Sequence, residues 1–241
     1  MSNRTRSEII SQVYEYIPNL NVSSYDTTLD NLIDLAAEEI SRRHNFSYLR
    51  ESTPATHALA AGDYYVDESD FSFTNFKEII FLQWIKSSTG ENARIKFMPQ
   101  QAFLDRYPYV EYSGNSDGKP GYYTRIGTRY FLNCQLDEAV TLRAWYQKLH
   151  GNFTDDATPH SFDPDNLGFQ AIVSAVLSEA QEAIPGLQLS QKAIEAVQRK
   201  EYWINQLIEY DLNRANEPIE IEPLHRQTEG VGSMINPYNW V

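Results

Sequence analysis

The chain has 241 residues, 41% of them hydrophobic and 22% charged, which excludes a disordered polyelectrolyte and leaves length for one large core or two small ones. A formal net charge of −13 repels phosphate at long range and excludes duplex nucleic acid as a ligand held by general attraction. A lone Cys134 excludes a disulfide framework; with no apolar signal core near the start and no run approaching the ~18 residues that span a bilayer, a soluble protein made in a cytoplasm is expected.

In chain order, Thr5 to Ile17 reads as a helix, because Ile9, Ile10, Val13 and Ile17 share a face and Pro18 follows. A second helix is expected from Thr28 to His44, with Leu29, Leu32, Ile33, Ala36 and Ile40 as its stripe. Thr27 and Asp30 form a capping-box pattern at its start. From Phe46 to Leu149 the period changes. Lys77 to Lys86 (KEIIFLQWIK) is continuously apolar, as in a strand buried on both faces, and Ala93 to Met98 alternates. The two read as a hairpin across a turn at Ser87 to Asn92. A short helix follows Pro99 to Tyr107, then a polar, flexible loop at Ser113 to Pro120. Tyr122 to Ile126 and Arg129 to Leu132 form a second hairpin around Gly127-Thr128, and Ala139 to Gln147 alternates as another strand. Helices return with Asp163 as cap and Pro164 in the first turn, striped by Phe169, Ile172, Val173, Val176 and Ala180. Ser190 then caps one long helix reaching Arg214. Residues 216–241 have no period and contain Pro218, Pro223 and Pro237.

This order predicts an α+β fold, mainly a helical bundle built from N-terminal and C-terminal helix pairs, with an inserted antiparallel β module and an extended C-terminal arm. The expected divisions are 1–45 (N-terminal helices), 46–150 (β module, a sheet or sandwich), 151–215 (C-terminal helix pair) and 216–241 (arm).

Chemistry is sparse. His44, His57, His150, His160 and His225 include no pair at helical ligand spacing, and there is no HExxH or CxxC, so no metal is expected. No Walker loop, GxGxxG or GxSxG occurs, so no cofactor and no catalytic residue is assigned. Cys134 reads as a small buried thiol. The carboxylates Asp63, Asp67, Glu68, Asp70, Asp155 and Asp156 read as loop solubilisers rather than a glycosidase pair. Sixteen Tyr and four Trp suit interfaces as well as cores. An alternative to assembly is a tail-associated module recognising carbohydrate or protein, with Trp84 and Trp145 as aromatic platforms.

The segment Gly118 to Gly151 (GKPGYYTRIGTRYFLNCQLDEAVTLRAWYQKLHG) resembles head-to-tail adaptor proteins of short-tailed bacteriophages. The resemblance rests on Gly118, Pro120 and Tyr123 in a G-x-P-x-x-Y strand, the Asp137-Glu138 turn and Trp145-Tyr146. It extends to Asp163-Pro164-Asp165 opening an Ala-rich helix and to AGDYYV at Ala61 to Val66. It implies a non-enzymatic structural protein of the virion neck, forming a dodecameric homo-oligomer ring between the portal protein ring and tail or nozzle proteins. DNA would pass through without specific binding, and no membrane is involved. It also implies a C-terminal segment gripping the portal. Ile219, Ile221, Met234, Ile235, Pro237, Tyr238 and Trp240 are the expected portal contacts, since Ile219 and Ile221 alternate with glutamates as in an added strand and the last residues are apolar and aromatic. Gly114, Asn115, Asp117 and Gly118 are expected to form a flexible contact loop.

Overall fold

The computed structural model describes residues 3–17, 22–86, 88–108, 118–184 and 187–215. Six helices and seven strands are present among them. Helix α1 spans Arg6–Tyr16, with the Glu8 carboxylate accepting the Thr5 amide at 2.7 Å, and Ile9 and Val13 fully buried. Helix α2 spans Val22–Arg43, so Thr27 lies inside it and the expected capping box is not its start. Its stripe of Leu29, Ile33, Ala36, Ala37 and Ile40 has no exposure. Helix α4, Asp165–Ala183, is capped by Pro164 in extended backbone, one residue later than the sequence suggests, and is buried over most of its surface. In place of one long helix after Ser190 there are two, α5 (Gln191–Gln198) and α6 (Lys200–Ala215). The break is Arg199, at φ −95° and ψ 3°, a backbone position that no glycine or proline signals. The helices α1, α2, α5 and α6 pack around α4. Gly168 of α4 lies so close to the 160–162 segment that an added Cβ would sit 2.5 Å from the Phe162 Cβ.

The β half overturns the expected bundle with a small antiparallel insert. Strands β1 (Ala55–Leu59), β2 (Tyr65–Asp67), β3 (Phe76–Ile85), β4 (Asn92–Phe97), β5 (Tyr122–Ile126), β6 (Arg129–Leu132) and β7 (Val140–Lys148) form one sheet in the order β1-β7-β3-β4-β5-β6-β2. Helix occupies 43% and strand 25%, so the sheet is a full partner of the helices. It is also nearly closed, and chain geometry explains why. Its two edge strands are consecutive in sequence, joined by residues 60–64. A flat ladder of this size is about 29 Å wide at ~4.8 Å per strand, whereas that link reaches at most about 21 Å. The sheet must curl. The link is pinned in place by Gly62 N–H to Leu136 O, Leu132 N–H to Tyr64 O and Leu136 N–H to Asp63 O, at 2.8, 2.8 and 3.0 Å.

Nor is the sheet wholly antiparallel. Lys96 and Phe97 of β4 pair in parallel with Tyr122 and Tyr123 of β5, which the chain between them permits because it includes helix α3 (Gln100–Arg106) as a crossover. The expectation that β3 is buried on both faces also fails. Leu82 and Trp84 point into the barrel, while Phe81 is half-buried on the outside, stacked on Trp145 at 5.7 Å. The barrel interior holds Leu59, Val66, Leu82, Ile95, Tyr123, Leu132 and Leu142 as a core distinct from the helical one.

The two cores meet along residues 41–50. Lys77 of β3 donates to the Ser41 and His44 carbonyls, both at 2.8 Å, at the C-terminal end of α2. Those carbonyls lack helical partners and carry the negative end of the helix dipole, so an ammonium is well placed there. Gln147 of β7 donates to the Phe46 carbonyl at 2.8 Å. Asp211 of α6, 2% exposed, accepts from the Ser47 amide and hydroxyl and pairs with His44 at 3.0 Å.

Candidate interaction surfaces

The residues suggestive of chemistry are engaged in structure. His150 donates from Nδ1 to the Gly151 carbonyl at 2.5 Å and accepts the Ser161 amide at Nε2 at 3.1 Å, which fixes a neutral ring. Burial pushes it down to about 4. His160 accepts the Phe162 amide at Nδ1 (3.2 Å) and faces Asp165 at 3.1 Å through Nε2; burial lowers it as well, against the opposing pull of Asp165. Cys134 is buried. Among the acids, Asp63 accepts the Ala60 amide, Asp67 pairs with Arg129, Asp70 accepts the Asp67 amide and Asp155 holds Thr158. Glu68 accepts from the Tyr130 hydroxyl at 2.8 Å and pairs with Arg125 at 2.7 Å. Asp67 and Glu68 staple their loop to β5 and β6 of the barrel, and Asp63, Asp70 and Asp155 close their own turns. Among the described residues no group of three or more metal-ligating side chains converges, and no helix is long and apolar enough to cross a membrane. Trp84 faces the barrel interior at 4% exposure and offers no platform for a sugar.

The expected portal contacts Ile219, Ile221, Met234, Ile235, Pro237, Tyr238 and Trp240 lie outside the described residues, as do Gly114, Asn115 and Asp117. Gly118 is described, and it is buried. It bridges Leu136 in parallel at φ +68°, with Asp137 so close that a Cβ would meet the carboxyl carbon at 2.3 Å. Lys119 beside it pairs with Glu91 at 2.6 Å. This end of the loop is anchored.

What the fold leaves open is apolar surface. On the helical half, Leu35, Ile194, Tyr202, Tyr210 and Leu212 are 40–57% exposed. On the β half, Phe97 and Ile80 of the sheet are 60% and 39% exposed, and Leu104 of the crossover helix α3 is 39% exposed. Ile80 and Phe97 flank a groove of ≈ 410 Å³ whose other walls are Glu78, Ile79, Tyr123, Arg125 and Tyr130. The groove exists because the sheet splays. β3 pairs with β4 only from Leu82 onward. Beyond Ile95, β4 turns to β5, so Phe76–Phe81 has no strand on that side among the described residues. Tyr123 and Tyr130 form the floor, their rings 6.3 Å apart, with Phe97 edge-on to Tyr123 at 5.5 Å. Burial pushes the Tyr123 phenol up to about 12 and raises Tyr130 too, so both floor hydroxyls are neutral. Arg94 lies over Phe81 at 4.4 Å, and neither Arg94 nor Lys96 has an ion pair among the described residues. Nothing in local sequence pattern signals this groove; it needs the non-local pairings of β3 and β5.

A family sequence model described as SU10 adaptor protein matches residues 4–218, which include every strand and helix above. No curated protein matches the chain.

Proposed function

The chain belongs to the SU10 adaptor protein family, a family of phage head–tail adaptors, and from that premise we propose that it is a non-enzymatic ring subunit of the virion neck. In this reading copies close into a dodecamer beneath the portal ring, tail or nozzle proteins dock below, and DNA passes through the middle. The observation that carries it is the exposure of apolar side chains on two different parts of the fold: Leu35, Ile194 and Tyr202 on the helices, Ile80 and Phe97 on the sheet. A ring is a head-to-tail assembly, and such a contact joins two unlike patches rather than one patch to itself. The net charge of −13 favours a channel that does not hold the DNA it surrounds.

The portal contact falls to the C-terminal segment, with Met234, Ile235, Pro237, Tyr238 and Trp240 as anchors, because aromatic and aliphatic side chains dominate binding energy when they enter pockets. The loop containing Gly114, Asn115 and Asp117 faces a neighbour in the ring or the tail. Deleting Gly230 to Val241 tests the portal contact. Binding to portal rings is expected to weaken by a factor of about ten or more, roughly 1.4 kcal/mol, with the thermal midpoint unchanged. Unchanged portal affinity in the deletion would refute the anchor.

A further inference from the structure

We propose that the groove between β3 and the β5–β6 hairpin is the acceptor for residues Ile219 to Glu222 of a second copy of this chain, which adds there as a short strand. The inference rests on the ring reading, but it moves this stretch from the portal to a subunit neighbour.

Three observations support it. First, the acceptor has a vacant strand edge. Phe76–Phe81 of β3 pairs with β7 on one side only among the described residues, and an unpaired edge presents backbone donors and acceptors to an incoming strand. Second, length and pattern match. Ile219-Glu220-Ile221-Glu222 alternates with the strand period and is bounded by Pro218 and Pro223, residues that end strand pairing. Four residues span about 13 Å, within the roughly 20 Å of the six-residue edge. One face of such a strand offers two isoleucines to Ile80, Phe97 and Tyr123. Third, charge matches. Arg94 and Lys96 line an adjoining hollow that shares Ile80, Phe97 and Tyr123 with the groove, both without ion pairs among the described residues; these two cations outnumber the one carboxylate of the groove wall that faces them, Glu78, and the incoming stretch carries Glu217, Glu220 and Glu222.

A second copy is the occupant because a ring needs a contact between unlike patches of neighbouring copies, and this pairing supplies one. The end of α6 is held by Asp211 to Ser47 and His44 and by Arg214 to Asp163, and Asn45 beside them donates to Glu78 of β3. The tail of the same chain therefore leaves α6 near the start of this edge, and it is the rival occupant that the isotope mixture below distinguishes.

The test is cross-linking of the full chain carrying Ile80→Cys and Ile221→Cys, oxidised at moderate salt in an equal mixture of isotopically light and heavy protein. A disulfide between positions 80 and 221 is expected, with mixed-isotope products. Phe97→Asp, at a 60% exposed position and with its thermal midpoint checked against the parent, is expected to lower its yield at least tenfold, as is the pair Glu220→Lys and Glu222→Lys. A control pairing Ile80→Cys with Tyr238→Cys should give no more than background. An 80–221 yield at background, a yield indifferent to Phe97→Asp, or products of a single isotope only would overturn the proposal. Portal binding of the lysine pair is measured in the same samples. It is expected to persist, and its loss would assign the stretch to the portal instead.

Discussion

Lys77 crosses from the sheet to cap the last carbonyls of α2, and its burial lowers its proton affinity against the opposing pull of the Glu78 carboxylate. Replacing it with Met keeps the stem and removes the charged donor. Two charge-assisted hydrogen bonds and a helix-end charge are lost, so Lys77→Met should cost about 2–3 kcal/mol. A urea midpoint within error of the parent would show that the junction does not depend on it. His150 sets the acid limit. Its folded value of about 4 lies below the ~6.5 of an unfolded histidine. The unfolded chain therefore binds this proton first, and stability is full above pH 6.5 and falls as pH drops toward 4, by roughly 3 kcal/mol over the whole window. His160, lowered in the same direction, adds to the fall. His150→Asn should lose less stability than the parent between pH 7.5 and pH 5; equal losses in urea titrations would contradict this assignment.

At the scale of elements, α4 is the centre of the helical half, and its contact with residues 160–162 has no spare volume at Gly168. Gly168→Ala gains helix propensity but forces a methyl against the Phe162 Cβ, so a net loss of about 1–3 kcal/mol is expected. That is a fall of several degrees in thermal midpoint, and an unchanged midpoint would mean that the 160–162 segment yields freely. The stripes of α1, α2 and α4, the hairpin of β5 and β6 and the alternation of β7 are legible in the sequence because each is a local pattern. β1 and β2 are not: ATHAL and YVD are short, and their pairing with β7 and β6 is non-local. Missing them turns a nearly closed barrel into a small insert. The same cause hides the groove, which arises where β4 leaves β3 at Ile95 to join β5. Arg199 breaks the last helix with no residue type to mark it.

At the scale of the whole molecule, two cores are locked by Lys77, Gln147 and Asp211 at one junction, and exposed apolar residues lie on both halves. A closed ring gathers −13 from each copy, so like-charge repulsion opposes closure until salt or a partner offsets it. The free protein is therefore expected to be a monomer or weak oligomer at low salt, and light scattering that finds a stable ring there at micromolar protein would contradict this. The most direct measurement of the adaptor reading is the mass of the particle formed when the full chain is mixed with purified portal rings, compared with each component alone. A discrete complex heavier than the portal by a full ring of adaptor copies is the predicted result; a portal mass unchanged at saturating adaptor would contradict it.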